Sequence, residues 1–216
     1  ARERCSERFE PGVKRSALED DSYGLYTPAF EQAGWNSKIH PDKLIFGLIN
    51  KVMANLDTTT YPETLSYDGK TFFSANHPVG LAGATTATAN VYTSGSGPYW
   101  FLLNAGRPIR PFVFQERIPY QMTRMDQLTD EAVFMLNMFR FGVRARVNAG
   151  FGLWQLAYAS NADLNNPANF EAAIAAMTNI KADNGMPFGS WSGDRGKFLL
   201  VSPSNRAAAK RLINSE

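Results

Sequence analysis

The side chains that could carry out chemistry are few and widely spaced in this sequence. His40 and His77 are its only histidines, each is followed by proline, and Cys5 is its only cysteine. A protein zinc site usually needs four Cys, His or carboxylate ligands at short spacings. We therefore expect no histidine-rich metal site, and we predict structural roles for both histidines.

Motifs for nucleophilic catalysis and nucleotide binding are incomplete. Residues 189–193 place Trp191 where the G-x-S-x-G pattern of hydrolases requires serine. Gly150 and Gly152 begin a G-x-G pattern, but Gln155 stands in place of the third glycine. Carboxylate pairs such as residues 20–21 and 130–131 are sequence neighbours, which favours solvated surface charge over acid–base chemistry. We predict no enzyme activity, no catalytic residues and no cofactor.

The composition indicates an ordinary globular protein. The 216 residues are 44% hydrophobic and 19% charged, with a formal net charge of +2. This length allows one large domain or two small ones, and the charge lacks the strong basic balance of a dedicated nucleic-acid binder. A single cysteine suits a reducing compartment. No apolar run approaches the roughly 20 residues that span a bilayer, so we expect no membrane partner.

A long antiparallel hairpin is predicted over residues 139–157. Odd positions from Phe139 to Val147 are apolar, whereas Arg140, Arg144 and Arg146 share the opposite side, as in a half-buried strand. Residues 148–150 have the composition of its turn. We call these three arginines the arginine face. Strand arginines commonly pair with carboxylates on a neighbouring strand or subunit, and phosphate binding is the alternative.

The other predicted elements mix helices and strands, so the fold class is α+β. Residues 2–21 are highly charged and predict an exposed arm that needs a partner surface to become ordered. Helical patterns cover residues 29–39 and 42–53 and form one long helix that is kinked at His40-Pro41. The remaining predictions are a tight hairpin turn at 68–69, a surface loop at 80–97, strands at 99–103 and 109–115, and a helix, strand and helix at 167–182, 197–202 and 205–213.

Five ordered blocks resemble a known family. They are residues 19–26, 40–48, 67–74, 77–79 and the predicted hairpin at 139–157, and from about Lys14 onward they are similar to the major head subunit of Mu-like bacteriophages. Family members extend further at both ends, so the resemblance implies that this chain is an incomplete copy.

The resemblance implies the major-capsid fold of tailed phages and herpesviruses, with a peripheral domain, an axial domain and an extended loop. Residues 1–22 would be a limb of the extended loop. Residues 23–159 would form the peripheral domain with its spine helix and long strands, and residues 160–216 an incomplete axial domain. Aromatic side chains such as Trp100, Phe101, Phe112, Phe114 and Trp154 are expected in the core.

The function implied by the resemblance is assembly. Copies would form pentamers and hexamers of an icosahedral head that encloses double-stranded DNA, with weak non-specific DNA contact. The head would be assembled in the host cytoplasm and become the virion capsid, with portal, scaffold or protease, and decoration proteins as further partners. We expect the arm of one subunit to lie over its neighbour. The expected inter-subunit residues are Arg8, Lys14, Arg15, Glu19, Arg140, Arg144 and Arg146.

A second class of function is compatible with the residues. A β-rich binding module that recognises carbohydrate or a host surface could use aromatic side chains such as Tyr92, Tyr99 and Trp191. Aromatic rings offer an apolar face together with a polar edge or tip, and such side chains are enriched at binding interfaces.

Overall fold

The computed structural model describes residues 8–9, 12–21, 24, 26–55, 57–81, 85–191 and 195–214. Their contacts define two compact units, Ala1–Gly47 with Phe114–Gly150 and Leu48–Val113 with Phe151–Glu216. In chain order the elements are β1 (Arg8–Phe9), β2 (Gly12–Lys14), α1 (Arg15–Glu19), α2 (Tyr26–Met53), β3 (His77–Val79), β4 (Thr86–Thr88), β5 (Val91–Tyr92), β6 (Trp100–Asn104), β7 (Phe112–Met125), α3 (Glu131–Leu136), β8 (Met138–Phe151), β9 (Ala157–Ser160), α4 (Pro167–Thr178), β10 (Lys197–Val201) and α5 (Arg206–Ile213). Short 3-10 helices cover Pro62–Thr64, Trp154–Leu156 and Pro203–Asn205.

Helix α2 is one continuous helix of 28 residues that contains Pro41. The prediction that the two helical patterns belong to one long helix is confirmed. Proline at this position removes one backbone hydrogen bond, yet the helix continues to Met53. At its start, the Asp21 carboxylate accepts a hydrogen bond from the backbone N–H of Tyr26 at 3.1 Å, which satisfies a donor that the helix itself cannot pair.

The first unit contains a sheet built around β8. Strands β1 and β2 pair with it in antiparallel fashion, with Arg8 opposite Arg144 and Gly12 opposite Arg140, and β7 also pairs with it. Part of the predicted arm therefore pairs with β8 of its own chain, and its contact with a neighbouring copy stays a prediction. Residues 1–7, 10 and 11 of the arm lie outside the described residues.

The predicted hairpin at residues 139–157 is wrong. Strand β8 runs through residues 148–150 without turning and ends at Phe151, and Gly150 does not have the positive φ that a tight hairpin turn requires. The partner of β8 is β7, which is 14 residues long like β8 itself. The predicted alternation of buried and exposed side chains is confirmed within β8, because Ala145 and Val147 are buried whereas Arg140 and Arg144 are exposed.

The second unit contains a four-stranded sheet in the order β10-β6-β9-β5. Strand β6 pairs in antiparallel fashion with β10 and β9, and β5 pairs in parallel with β9. The predicted helix, strand and helix after residue 160 are present, and the strand, β10, pairs with β6. The peripheral, axial and extended-loop boundaries stay predictions.

The predicted loop at residues 80–97 is partly wrong. Strand β4 pairs with β3, and β5 pairs with β9, while residues 82–84 lie outside the described residues. Backbone pairing and the buried side chain of Asn90 organise a segment whose own side chains are small. The turn at residues 68–69 is confirmed, with Gly69 at φ +76°, although its flanks pair only through an isolated bridge between Leu65 and Thr71.

Aromatic rings form much of the second unit's core. Phe72 stacks on Phe151 with ring centres 4.1 Å apart, and Phe112 packs beside both. Next to this cluster, Gly152 donates a hydrogen bond to the carbonyl of Pro111 at 2.9 Å. A Cβ at Gly152 would collide with the carbonyl oxygen of Arg110, so this close approach requires glycine.

The predicted aromatic core is confirmed for most of its members. Trp100, Phe101 and Trp154 are buried, whereas Phe112 and Phe114 are half-buried. Among the described residues, no helix is long and apolar enough to cross a membrane.

Candidate functional site

The clearest polar network in the second unit surrounds His77. This side chain is fully buried, and its Nδ1 lies 2.6 Å from Oδ2 of Asp68, which the turn at 68–69 presents. Its Nε2 faces the carbonyl of Phe72 at 3.3 Å and Oδ1 of Asn90 at 3.2 Å. The ring also stacks on Trp154, with centres 4.0 Å apart.

Asn90 connects this network to the backbone. Its amide donates to the Phe72 carbonyl at 2.8 Å and its Oδ1 accepts from the backbone N–H of Ser74 at 2.9 Å. Every polar atom of the His77 ring therefore faces an interior group. A general base must reach a substrate proton, and His77 is closed off from solvent, so the dyad with Asp68 has a structural role as predicted.

His40 occupies a similar structural position in the first unit. It is buried on α2, and its Nδ1 lies 2.5 Å from the hydroxyl of Tyr120 on β7. The two rings meet edge to face at 5.9 Å. In the described part of the chain, no group of three or more His, Cys, Asp or Glu side chains could hold a metal ion.

The residues predicted from sequence as inter-subunit contacts all lie in the first unit. Lys14 is exposed on β2, opposite Met138. Arg15 and Glu19 pair with each other along α1 at 2.7 Å, and this exposed pair is worth little stability. The backbone of Arg8 lies opposite that of Arg144, so strand pairing brings the predicted arm and the arginine face into one sheet.

The arginine face is accessible to solvent. Arg140 and Arg144 are exposed and Arg146 is half-buried. None of the three forms an ion pair with another residue in the described ranges. A surface of unpaired guanidinium groups can bind carboxylates or phosphates.

Sequence reasoning missed an exposed apolar region of the first unit, which we call the tip and define as residues 122–136. It comprises the end of β7, a connecting turn and α3. Ala132 and Val133 of α3 face inward, whereas Phe134 is 81% exposed. The other exposed large apolar side chains of the tip are Met122, Met125, Leu128, Met135 and Leu136.

The tip is unusual because three of its exposed apolar side chains, Phe134, Met135 and Leu136, are consecutive in sequence. Single exposed apolar residues are normal, but a dense cluster marks an interaction surface. The signal in the sequence was the run Phe134-Met135-Leu136 beside Ala132-Val133, since one short helix cannot bury five consecutive apolar residues on a single face.

The aromatic residues proposed for carbohydrate binding lie in the second unit. Tyr92 is 44% exposed, and Tyr99 and Trp191 are half-buried. Trp191 contacts the ammonium group of Lys197 at 5.3 Å. No described contact joins the three rings into one platform.

Sequence comparison finds relatives along nearly the whole chain. The model of the family "Mu-like prophage major head subunit gpT" matches residues 7–216. The chain is 33% identical over 211 residues to the major capsid protein of Escherichia phage Mu, across 95% of this chain and 65% of that protein. It is 31% identical over 211 residues to the Mu-like prophage FluMu major head subunit of Haemophilus influenzae, across 94% of this chain and 64% of that protein. The chain therefore spans somewhat less than two thirds of the length of these relatives.

Solved structures show the same fold. A chain of the bacteriophage JBD30 procapsid superposes with a TM-score of 0.72 and 37% identity, over 97% of this chain and 68% of that chain. A chain of the JBD30 capsid gives a TM-score of 0.72 and 25% identity, over 95% and 66%. The expected α+β major-capsid fold is confirmed, and nothing in these comparisons supports the carbohydrate-binding alternative. The chain belongs to the Mu-like prophage major head subunit family.

Proposed function

We propose that this chain is the major structural subunit of a tailed-phage head. Copies associate as hexamers and pentamers that tile an icosahedral shell around double-stranded DNA. Its relatives are named as capsid and head subunits, and its structural neighbours come from a procapsid and a capsid. No catalytic step is part of this function.

The observation that carries the proposal is the tip. Phe134 and Met135 are 81% and 68% exposed on α3, between β7 and β8. Burying such a side chain gains about 1.5 to 3 kcal/mol relative to exposure. A partner that covers the tip therefore gains binding energy that the isolated chain lacks.

Rings of subunits require contacts between unlike surfaces, and the tip would supply one of them. A self-complementary two-fold contact pairs one patch with itself, whereas rings of five or six subunits use two different patches on each copy. Many weak contacts of this kind give a stable shell through multiplicity.

The predicted polar contacts remain part of the proposal. Arg8, Lys14, Arg15 and Glu19 contribute to subunit contacts, and the arginine face is satisfied by acidic or carbonyl groups within the shell. Contact with packaged DNA is weak and non-specific, in keeping with a net charge of +2. Residues 1–22, 23–159 and 160–216 correspond in this proposal to the extended-loop limb, the peripheral domain and the axial domain.

The place of assembly and the further partners are proposed from membership of the same family. The subunits assemble in the host cytoplasm into the virion capsid, and portal, scaffold or protease, and decoration proteins are further partners. These partners would bind the assembled lattice or its precursor, in addition to the contacts between copies.

Removing the apolar character of the tip tests the proposal. The triple variant Phe134→Ser/Met135→Ser/Leu136→Ser is expected to sediment as a monomer, whereas the parent chain forms rings or shells in negative-stain images. A matched control removes three equally exposed apolar side chains from the second unit, by replacing Leu81, Met186 and Ile213 with serine. A circular dichroism spectrum equal to that of the parent establishes that each variant folds.

The outcomes separate the candidate functions. Assembly of the parent and the control without assembly of the tip variant supports the head-subunit proposal. A parent chain that stays a dispersed monomer at high concentration and retains glycans would refute it and favour the carbohydrate-binding alternative.

A second experiment separates the two roles of the arginine face. Arg144→Gln/Arg146→Gln is expected to lower particle yield, because the replacement removes charged hydrogen bonds within the shell. Particle yield and DNA retention are measured separately. Normal yield with lost DNA retention contradicts lattice pairing and assigns the arginine face to DNA.

A further inference from the structure

The first unit exposes large apolar side chains at a second place besides the tip. Trp35 is 57% exposed and Phe46 is 47% exposed, both on α2. Eleven residues correspond to three turns of an α-helix, so these two rings lie on the same side of α2, about 16 Å apart. The charged residues between them, Lys38, Asp42 and Lys43, are all exposed, and we call these five residues the helix patch.

The helix patch is cationic and aromatic. The Lys38 ammonium lies 5.7 Å from the centre of the Trp35 ring, which is within the range of a cation–π contact. Between Trp35 and Phe46 the charged residues are Lys38, Asp42 and Lys43, so the helix patch is net positive by one charge.

The tip has the opposite charge and complementary chemistry. Arg124, Asp126, Asp130 and Glu131 leave it net negative by two charges. Arg124 and Asp126 form only a long, exposed pair at 3.7 Å. Three of the exposed apolar side chains in the tip are methionines, whose sulfur atoms pack favourably against aromatic rings and adapt to irregular surfaces.

The dimensions of the two surfaces also agree. The six residues of α3 form a helix about 9 Å long, which fits between the rings of Trp35 and Phe46. Since Trp35 and Phe134 are each more than half exposed within one chain, neither surface is covered by its own copy.

We propose that the tip of one copy docks on the helix patch of a second copy. This inference rests on the proposed function, and it names the two unlike surfaces that a closed ring requires. The apolar side chains of α3 pack between Trp35 and Phe46, and Asp126 and Glu131 face Lys38 and Lys43.

Charge reversal on each surface tests this pairing. The helix variant is Lys38→Glu/Lys43→Glu, and the tip variant is Asp126→Lys/Glu131→Lys. In each variant the tip and the helix patch carry charge of the same sign, which opposes docking. Each variant alone is expected to lose at least about tenfold of its assembled fraction in sedimentation velocity.

Mixing the two variants provides the decisive measurement. The negative tip of the helix variant attracts the positive helix patch of the tip variant. The positive tip of the tip variant likewise attracts the negative helix patch of the helix variant. An equimolar mixture should therefore form six-membered rings in which the two variants alternate, although neither variant assembles alone; a ring of five cannot alternate and is not expected. Restored assembly cannot come from a variant that failed to fold.

Controls and contrary outcomes are distinct. The double variant Lys181→Glu/Lys210→Glu makes the same charge change at two exposed lysines of the second unit and should assemble like the parent. If either docking variant assembles as well as the parent, or if the mixture fails while both variants have the parent's circular dichroism spectrum, the pairing is overturned and the proposed function stands. A parent chain that does not assemble overturns the proposed function and the pairing together.

Discussion

Replacing Asn90 with alanine is expected to destabilise the second unit strongly. The Asn90 side chain is fully buried and joins groups from three segments of the chain. Its amide hydrogen bonds to Phe72 and Ser74 are 2.8 and 2.9 Å long, and it also faces Nε2 of His77. Alanine removes all of these contacts and leaves their partners buried.

The magnitude follows from the two short hydrogen bonds. A buried group that loses its partner costs about 1 to 3 kcal/mol, whereas an ordinary hydrogen bond contributes about 0.5 to 1.5 kcal/mol. The Phe72 carbonyl still faces Nε2 of His77 at 3.3 Å, so losing its bond to Asn90 and stranding the Ser74 amide together cost about 1.5 to 4.5 kcal/mol. The free energy of unfolding of a typical domain is only about 5 to 15 kcal/mol. Asn90→Ala should therefore lower the urea midpoint clearly, with little change in the slope of the transition.

Tryptophan fluorescence during urea unfolding provides the measurement, because Trp100 and Trp154 are buried in the second unit. The control is Asn76→Ala, an exposed asparagine of the same unit, whose replacement should change the free energy of unfolding by less than about 0.5 kcal/mol. Equal unfolding free energies for the Asn90 and Asn76 variants would refute the reasoning that buried hydrogen-bond partners decide the stability here.

Two further perturbations follow from local geometry. Gly152→Ala should lower the free energy of unfolding by about 1 to 3 kcal/mol, because its Cβ would collide with a backbone carbonyl. Gly150→Ala, with nothing within 4 Å of its Cβ, should be neutral or mildly stabilising in the same assay, and equal losses at both positions would contradict this. For Glu63, partial burial raises the carboxyl pKa, but the hydrogen bond and charge of Lys51 together with a backbone hydrogen bond outweigh burial and hold the pKa below its ordinary value. Lys51→Met should therefore raise the pKa of Glu63 in an NMR titration. The pair stabilises the folded chain above the unfolded-state pKa of Glu63 and loses this effect as the pH falls through the lower folded-state value, so parent and variant should differ by less than about 1 kcal/mol at neutral pH and converge in acid. An unchanged titration would show that Lys51 does not hold the carboxylate.

Local patterns predicted single elements well and their pairing poorly. The long helix, the turn at Asp68-Gly69 and strand β6 all follow from periodicity and turn chemistry. The hairpin at 139–157 failed because residues 148–150 offer turn composition, while the actual partner β7 is mostly exposed and contains Pro119. The pairing of β8 depends on hydrogen bonds to a strand that is distant in sequence, and the local composition of residues 139–157 does not indicate that partner.

For the candidate site as well, the sequence predicted features that depend on local pattern and missed one that depends on tertiary packing. The arginine face was predicted on one side of a strand because alternation specifies which side chains share a face. The tip was missed because exposure of Phe134 depends on how α3 packs, and sequence alone does not show which of five consecutive apolar residues face inward. The structural roles of His40 and His77 were predicted from their isolation, and the structure adds Tyr120 and Asp68 as their partners.

The interleaving of the two units has a consequence for synthesis on the ribosome. Strand β6 is complete long before its partners exist, since Trp100 pairs with Ser160 and Val201, and residues 114–150 of the other unit are made in between. At about 5 to 20 residues per second, the apolar side chains of β6 wait about 3 to 12 seconds for β9. During that interval a nascent chain presents an unpaired apolar strand, so the time for which this strand stays exposed depends on the rate of elongation.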